Sequence, residues 1–592
     1  MTYSAPIAEQ FFVLETIAGI DNLAALPPYA GIDRDLIPAI LEEGGRLTAE
    51  VFAPLNTVGD KEGLIWSPQG VRHPAGFAEA YATYVEGGWQ ALSADPEFGG
   101  QGMPLSLSIA FGEQLASANM AFSLCMILSS GAVEALSAHG SEELKRLYLP
   151  KLISGEWTGT MNLTEPQAGS DVGALATLAT LADDGTWRIR GSKIFITWGE
   201  HELATNIIHL VLARTPGSPP GTRGISLFVV PKFLPDAEGK PGSRNDLSCV
   251  SIEHKLGIHA SPTCTMSFGD EGKCVGWLVG ELNGGMRAMF AMMNHARLNV
   301  GLEGVAIAER AYQGALGYAR ERVQSAPIGG GAPVRIIEHP DVRRMLMTMR
   351  AITQGIRAIA YFNAAAIDRS RAETDPEAKA AARGLADLLT PITKAYSTDM
   401  GVEVAGIGIQ VFGGMGFIEE TGAAQHWRDS RIAPIYEGTN GIQALDLVGR
   451  KLRLDQGVHW RRLFDEMTAF FGVTADGEPA LFRSQLQRYT DLLTEATMRM
   501  AEVPMMDAAD VATPYLRMFG IVLAAYLLSR QAAAARARLA AGAGDADFLS
   551  AKIATARFFV DNVLPQATAI HTTVMQGNID RLFALSEAQL CT

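Results

Sequence analysis

Cysteine and positive charge are both scarce in this sequence. Its five cysteines, Cys125, Cys249, Cys264, Cys274 and Cys591, are odd in number and never spaced CxxC. That fits reduced thiols better than a disulfide framework or a thiolate zinc site, so no metal is expected. Lys and Arg number 49 against 64 Asp and Glu, a formal net charge of -15 with no basic block to offset it. Phosphate backbones would be repelled, and nucleic acid is excluded as a partner. HExxH and GxSxG are also missing, which removes the usual sequence support for zinc-hydrolase and serine-hydrolase chemistry. The N-terminus, "MTYSAPIAEQFFVLETIAG", carries Glu9 and Glu15 and lacks the basic-then-apolar order of a signal peptide, so a cytoplasmic location is expected. The most apolar late run, Phe519 to Ser529, is bounded by Arg517 and Arg530. It falls short of the roughly 18 apolar residues of a membrane span and reads as a buried helix. No transmembrane segment is expected; amphipathic helices in the C-terminal part leave a peripheral membrane contact open.

What is abundant is apolar surface: 48% of 592 residues are hydrophobic, enough for several domain-sized cores. Helical periodicity dominates residues 1–159, interrupted by the loop "DPEFGGQGMP". Residues 160–281 change to short β-rich runs, "TWRIRGSKIFIT", "NIIHLVLAR" and "GISLFVVPK", separated by Gly/Pro loops. Long helical segments return over 282–453 and suggest an antiparallel bundle, and 454–592 reads as a further helical domain. The glycine-rich "GIGIQVFGGMGF" follows a helical run rather than a strand, so it fails the context of a dinucleotide fingerprint. His254 and His339 stand alone and read as structural. In "MNLTEPQAGSDVG", hydroxyls and a Gly-Ser-Asp turn can hydrogen-bond a polar heterocycle or a phosphate. In "RIAPIYEGTNGIQ" a single carboxylate, Glu437, sits between a tyrosine and a Gly-Thr-Asn-Gly run.

These stretches resemble the FAD-dependent acyl-CoA dehydrogenase family. "SADPEFGGQGM", "GSEELKRLYLPKLISGEW", "MNLTEPQAGSDVG", "GSKIFIT", "QVFGGMGF" and "RDSRIAPIYEGTNGIQ" match its landmarks in order over roughly residues 35 to 452. With "IEHPDVRRML" and the extra C-terminal region, the chain is similar to the long branch that holds methylmercaptopropionyl-CoA dehydrogenases and related bacterial fatty acyl-CoA dehydrogenases. The resemblance implies a mainly α fold with a central β domain: a helical N-terminal domain, a β-barrel middle domain and a helical bundle, plus an extra helical C-terminal domain.

It also implies a chemistry. An acyl-CoA thioester loses an α-proton to a base while a β-hydride passes to flavin N5, giving the trans-2-enoyl-CoA. The base is matched by Glu437, whose own backbone N–H, with a flavin ribityl hydroxyl, would hold the enolate oxygen; such a base benefits from a pKa raised by desolvation. FAD contacts are matched by Met161, Leu163, Thr164, Ser170, Phe195, Thr197 and Thr439. Arg322, with Gln324 nearby, matches the arginine that binds the pyrophosphate of a neighbouring subunit's FAD, and Gln410, Gly413 and Gly414 match its adenosine-diphosphate contacts. Substrate contacts are matched by Ser170, Asn294 (where many members carry aspartate), Arg297, Tyr436, Glu437 and Gly438. Implied partners are an acyl-CoA, an electron-transferring flavoprotein and a second copy of the chain in a homodimer. An acyl-CoA oxidase on the same scaffold and a non-catalytic flavin-binding relative remain alternatives.

Overall fold

In the computed structural model, which describes residues 3–472 and 480–592, the chain runs from helices to a β barrel, a helical bundle and further helices. Two apolar helices, α1 (Leu105–Ala118) and α2 (Met120–His139), are the inner elements of the first region. Asn119 separates them in extended conformation, and its side chain accepts the Phe122 N–H as an N-cap.

Eight strands follow: β1 (Trp157–Asn162), β2 (Leu178–Leu181), β3 (Trp187–Thr197), β4 (Asn206–Arg214), β5 (Ile225–Pro231), β6 (Leu247–Ile252), β7 (Thr263–Phe268) and β8 (Val275–Val279). Their order is β6-β7-β3-β8-β5-β4-β1, and β2 pairs with both β3 and β4. That double pairing closes the ring β3-β8-β5-β4-β2, so the sheet curls into the barrel that the resemblance implies. β4 and β5 are buried along nearly their whole length because both faces are covered. Ile208, Leu210 and Leu212 pack toward α2, while Val211 and Ala213 turn to the barrel interior with Phe228 and Val230.

The bundle has three long helices: α3 (Gly285–Glu321), α4 (Pro340–Ala372) and α5 (Pro376–Phe412). Asp375 caps α5 by accepting the Ala378 N–H at 2.8 Å, Pro376 occupies its first turn, and Gly413 at φ +61 ends it. α4 runs against its neighbours, while α3 and α5 run parallel and touch backbone to backbone. A Cβ on Gly304 would lie 2.2 Å from the Ser397 carbonyl oxygen, and one on Gly401 2.7 Å from that of Gly304. Only glycine permits this approach. A short helix, α6 (Asn440–Gly449), leaves the bundle and packs on the later helix α7 (Ala512–Ala540), which packs in turn on α8 (Ala546–Asn562).

A buried ionic cluster joins the last helices to the rest. Arg357 on α4 donates to Glu113 on α1 at 2.7 Å and to Glu309 on α3 at 2.7 Å, and Tyr361 donates to Glu113 at 2.9 Å. Beside it, Lys552 on α8 donates to Glu9 at 2.6 Å and to Gln354 at 3.1 Å.

By length and composition α2, the α5 segment Pro376–Phe417 and α7 could each cross a membrane. Scattered small and polar residues, such as Ser129 and Thr393, break their apolar runs without lowering mean hydropathy much. Their apolar faces pack on protein: α2 on α3 and β1, α5 on α3 and α4, and α7 on α4 and α8. The four cysteines of the helices and barrel, Cys125, Cys249, Cys264 and Cys274, are buried free thiols, and Cys591 is exposed.

Candidate active site

The loop between Ser430 and α6 presents Glu437 in a left-handed conformation, φ +57, followed by Gly438 at φ +83. A non-glycine residue at positive φ is uncommon and needs support from its surroundings. That support is visible on every side. Arg297, buried on α3, donates from Nε to the Glu437 carbonyl at 3.4 Å, and Gln443 Nε2 reaches the Glu437 and Gly438 carbonyls at 3.4 Å. Lys394, buried on α5, donates to the Gly438 carbonyl at 2.9 Å and to Asn440 Oδ1 at 2.8 Å. The Asn440 amide donates in turn to Asp399 at 2.7 Å and to the Ala395 carbonyl at 3.1 Å. Thr439 caps α6 by accepting the Ile442 N–H at 3.2 Å.

Burial raises the Glu437 carboxyl above its ordinary pKa, although Arg297 and Lys394 pull it down. Burial likewise lowers Lys394 to about 8, with Glu437 the leading opposing charge. The carboxylate is therefore half-buried, electrostatically tuned and held on a fixed backbone. The Glu437 amide N–H donates to no protein acceptor among the described residues.

The loop after β1 and the end of β3 pack together into a wall on the barrel. Ile194 N–H donates to the Thr164 carbonyl at 2.9 Å, and Lys193 Nζ donates to the Leu163 carbonyl at 2.9 Å. Burial would raise Glu165, but Lys193 at 2.8 Å and hydrogen bonds from Thr177 and Ala176 hold it below the usual carboxylate range. At Phe195 the β3–β7 register slips by one residue and φ becomes +58. This bulge turns the ring outward, leaving Phe195 57% exposed beside Thr197; bulges commonly re-aim a side chain in this way. Met161 packs in the same buried cluster as Met292 and Ala296 of α3, which ties this wall to the helix carrying Arg297. Ser170 is exposed on the adjoining loop, and Asn294 lies one turn before Arg297 on α3.

The other matched residues are elsewhere. Arg322 and Gln324 are exposed at the far end of α3, where Arg322 donates to Gln324 Oε1 at 3.1 Å. Gln410, Gly413 and Gly414 are exposed at the same end of the bundle, beside the stacked pair Tyr318–Phe412. At 1.5 Å per residue, Arg322 lies ~37 Å along α3 from Arg297. One chain thus carries two separate groups of the expected site residues. Lys394, Asn440 and Gln443 hold the Glu437 loop but were not singled out in the sequence. The available signal was a lone lysine inside the apolar helical run "LLTPITKAY", since a buried charge needs partners.

Sequence profiles match nearly the whole of this architecture. They are the acyl-CoA dehydrogenase N-terminal domain over 66–156, its middle domain over 160–270 and its C-terminal domain over 283–452, followed by an acetyl-CoA dehydrogenase C-terminal-like domain over 463–582. The chain belongs to the acyl-CoA dehydrogenase family. It is 49% identical to the 3-methylmercaptopropionyl-CoA dehydrogenase of Ruegeria pomeroyi, over 97% of this chain and 98% of that one. It is 38% identical to a butyryl-CoA dehydrogenase of Syntrophomonas wolfei, over 91% of each. Among solved structures, an acyl-CoA dehydrogenase of Bacillus anthracis complexed with FAD superposes with a TM-score of 0.75 over 95% of this chain and 92% of that one. At 20% identity, that likeness speaks for the fold. The family assignment accounts for the barrel set against a bundle and for the added C-terminal helices.

Proposed function

We propose that this acyl-CoA dehydrogenase removes the α-proton of an acyl-CoA thioester with Glu437 while FAD lies between the barrel wall and the bundle. The carrying observation is the Glu437 backbone: one residue at φ +57 offers both a half-buried carboxylate and an uncommitted N–H. An α-proton beside a thioester is weakly acidic, so the base needs an oxyanion donor close by. The Glu437 N–H meets that need, and the fixed Gly438 leaves clearance beside it. Arg297 and Lys394 hold the loop so that the donor does not have to reorganise during proton transfer.

The residues present fit FAD. Phe195 is turned out of the barrel with an open face, the Met161–Thr164 backbone runs beside it, and Ser170 is free to meet a phosphate. When bound, FAD supplies the acceptor for the β-hydride. Phe195→Ala is expected to weaken FAD binding about tenfold or more, because aromatic stacking is worth ~1–3 kcal/mol. The flavin-to-protein absorbance ratio after dilution measures it, and an unchanged ratio would remove Phe195 from the site.

The active unit we propose is a homodimer in which Arg322, Gln324, Gln410, Gly413 and Gly414 serve the partner's FAD. The distance along α3 supports that reading. Co-expressing Glu437→Gln with Arg322→Ala chains tests it, because mixed dimers would regain one intact site from two inactive parents. Absence of complementation in mixed dimers isolated by two tags would refute sharing. The substrates proposed are short acyl-CoAs, 3-(methylthio)propionyl-CoA among them, with an electron-transferring flavoprotein as acceptor in the cytoplasm. Anaerobic flavin bleaching across a panel of acyl-CoAs, followed by reoxidation with a dye or with oxygen, reads both points. A flavin that no acyl-CoA bleaches would overturn the catalytic reading.

A further inference from the structure

Glu303 lies six residues beyond Arg297 on α3, in the apolar run "NVGLEGVAIA", and is 1% exposed. The Tyr436 hydroxyl donates to its Oε2, and its Oε1 has no hydrogen-bond partner among the described residues. An isolated carboxylate in such surroundings is costly unless it is neutral or paired. Helix α3 therefore grips two consecutive residues of the catalytic loop: Arg297 through the Glu437 carbonyl, and Glu303 through the Tyr436 phenol.

We propose that Glu303 is a positioning residue for the Glu437 base, fixing the Tyr436–Glu437 step through the Tyr436 hydroxyl. This rests on the reading of Glu437 as the base. The groups facing Glu303 are Tyr436 and Glu437 from the loop and Lys394 from α5. Burial raises its carboxyl to about 8, the Tyr436 hydrogen bond and Lys394 oppose the rise, and Glu437 adds to it. At neutral pH Glu303 is then mostly protonated and brings little charge to the site. Above about pH 8 it ionises and places an anion beside the region where the enolate gathers negative charge, which disfavours that charge.

The test compares Glu303→Ala, Glu303→Gln and Tyr436→Phe in the flavin-loaded dimer. It measures kcat and KM in a dye-linked assay from pH 6 to pH 9, with flavin content and thermal melting as fold controls. A displaced reacting group costs one to two orders of magnitude in rate. Glu303→Ala and Tyr436→Phe are each expected to lose on the order of tenfold in kcat at pH 7 with little change in KM, and the double variant no more than either single. Glu303→Gln keeps an acceptor for the phenol, so it should stay within about threefold of wild type at pH 7. It should also show a smaller decline of kcat/KM near pH 8 than wild type, because what remains belongs to Lys394, which burial lowers to about 8 as well. A wild-type kcat in Glu303→Ala, or an unchanged alkaline decline in Glu303→Gln, overturns the proposal. Where Glu303→Ala fails to fold, the Glu303→Gln pH profile decides alone. Glu437→Gln assayed alongside separates the two readings: turnover in that variant sinks the base assignment, whereas its inactivity with normal Glu303 variants sinks only the role of Glu303.

Discussion

Replacing Glu437 by glutamine is expected to lower turnover by about 10³–10⁴-fold, the upper range for removal of a positioned general base. Glutamine preserves length and the capacity to accept hydrogen bonds, and the backbone N–H proposed as the oxyanion donor is untouched. Flavin content and the affinity for an acyl-CoA should therefore stay close to wild type, and the loss should fall in kcat rather than KM. Anaerobic mixing of the variant with acyl-CoA should leave the flavin oxidised. Wild-type enzyme should show the complementary pH signature. Because burial raises the Glu437 carboxyl, the fraction of free base falls as pH drops through that raised pKa, and kcat/KM falls with it. The acid limb in the free enzyme should thus lie above the ordinary carboxylate range. Bleaching at a wild-type rate in the glutamine variant would mean that another group takes the proton.

The second large effect concerns stability. Arg357→Leu removes the cation that Glu113 and Glu309 share, both buried, at 2.7 Å from each. Breaking one side of a buried ion pair costs about 3–5 kcal/mol, because the remaining charge is left desolvated without compensation. Glu9 lies 4.0 Å from Arg357 and is also held by Lys552, so the same change loosens the attachment of α8 to the bundle. We expect a clear drop in melting temperature and in the yield of soluble, flavin-loaded protein. Arg46→Ala, which disrupts exposed pairs with Glu43 and Glu50, is the matched control and should melt with wild type. Equal melting of Arg357→Leu and wild type would show that the cluster relaxes to other partners.

Much of this protein is legible in its amino-acid order. The switch from helical periodicity to short β-rich runs marks the β region, because strands buried on both faces need β-branched and apolar residues in sequence. The ordered landmarks, from "MNLTEPQAGSDVG" to "IYEGT", identify the family and single out Glu437, since these stretches carry local turn chemistry and glycine clearance that composition records directly. Barrel closure is not local: it depends on Leu178 meeting Arg214 across the ring. Nor does the sequence reveal which elements cover the three apolar helices long enough to cross a membrane, because hydropathy is blind to what covers a face.

The site divides in the same way. The carboxylate proposed as the base and the residues beside it are legible in the sequence, but the groups that hold it come from helices far along the chain. Lys394 and Glu303 are single charges in apolar runs, and only the parallel crossing of α3 and α5, permitted by Gly304 and Gly401, brings them to the Tyr436–Glu437 step. Sequence by itself determined which carboxylate is presented and on what kind of loop, because turn conformation is a short-range property. Tertiary structure alone decided what environment that carboxylate meets, because burial and neighbouring charge are set by residues that approach only when the bundle closes.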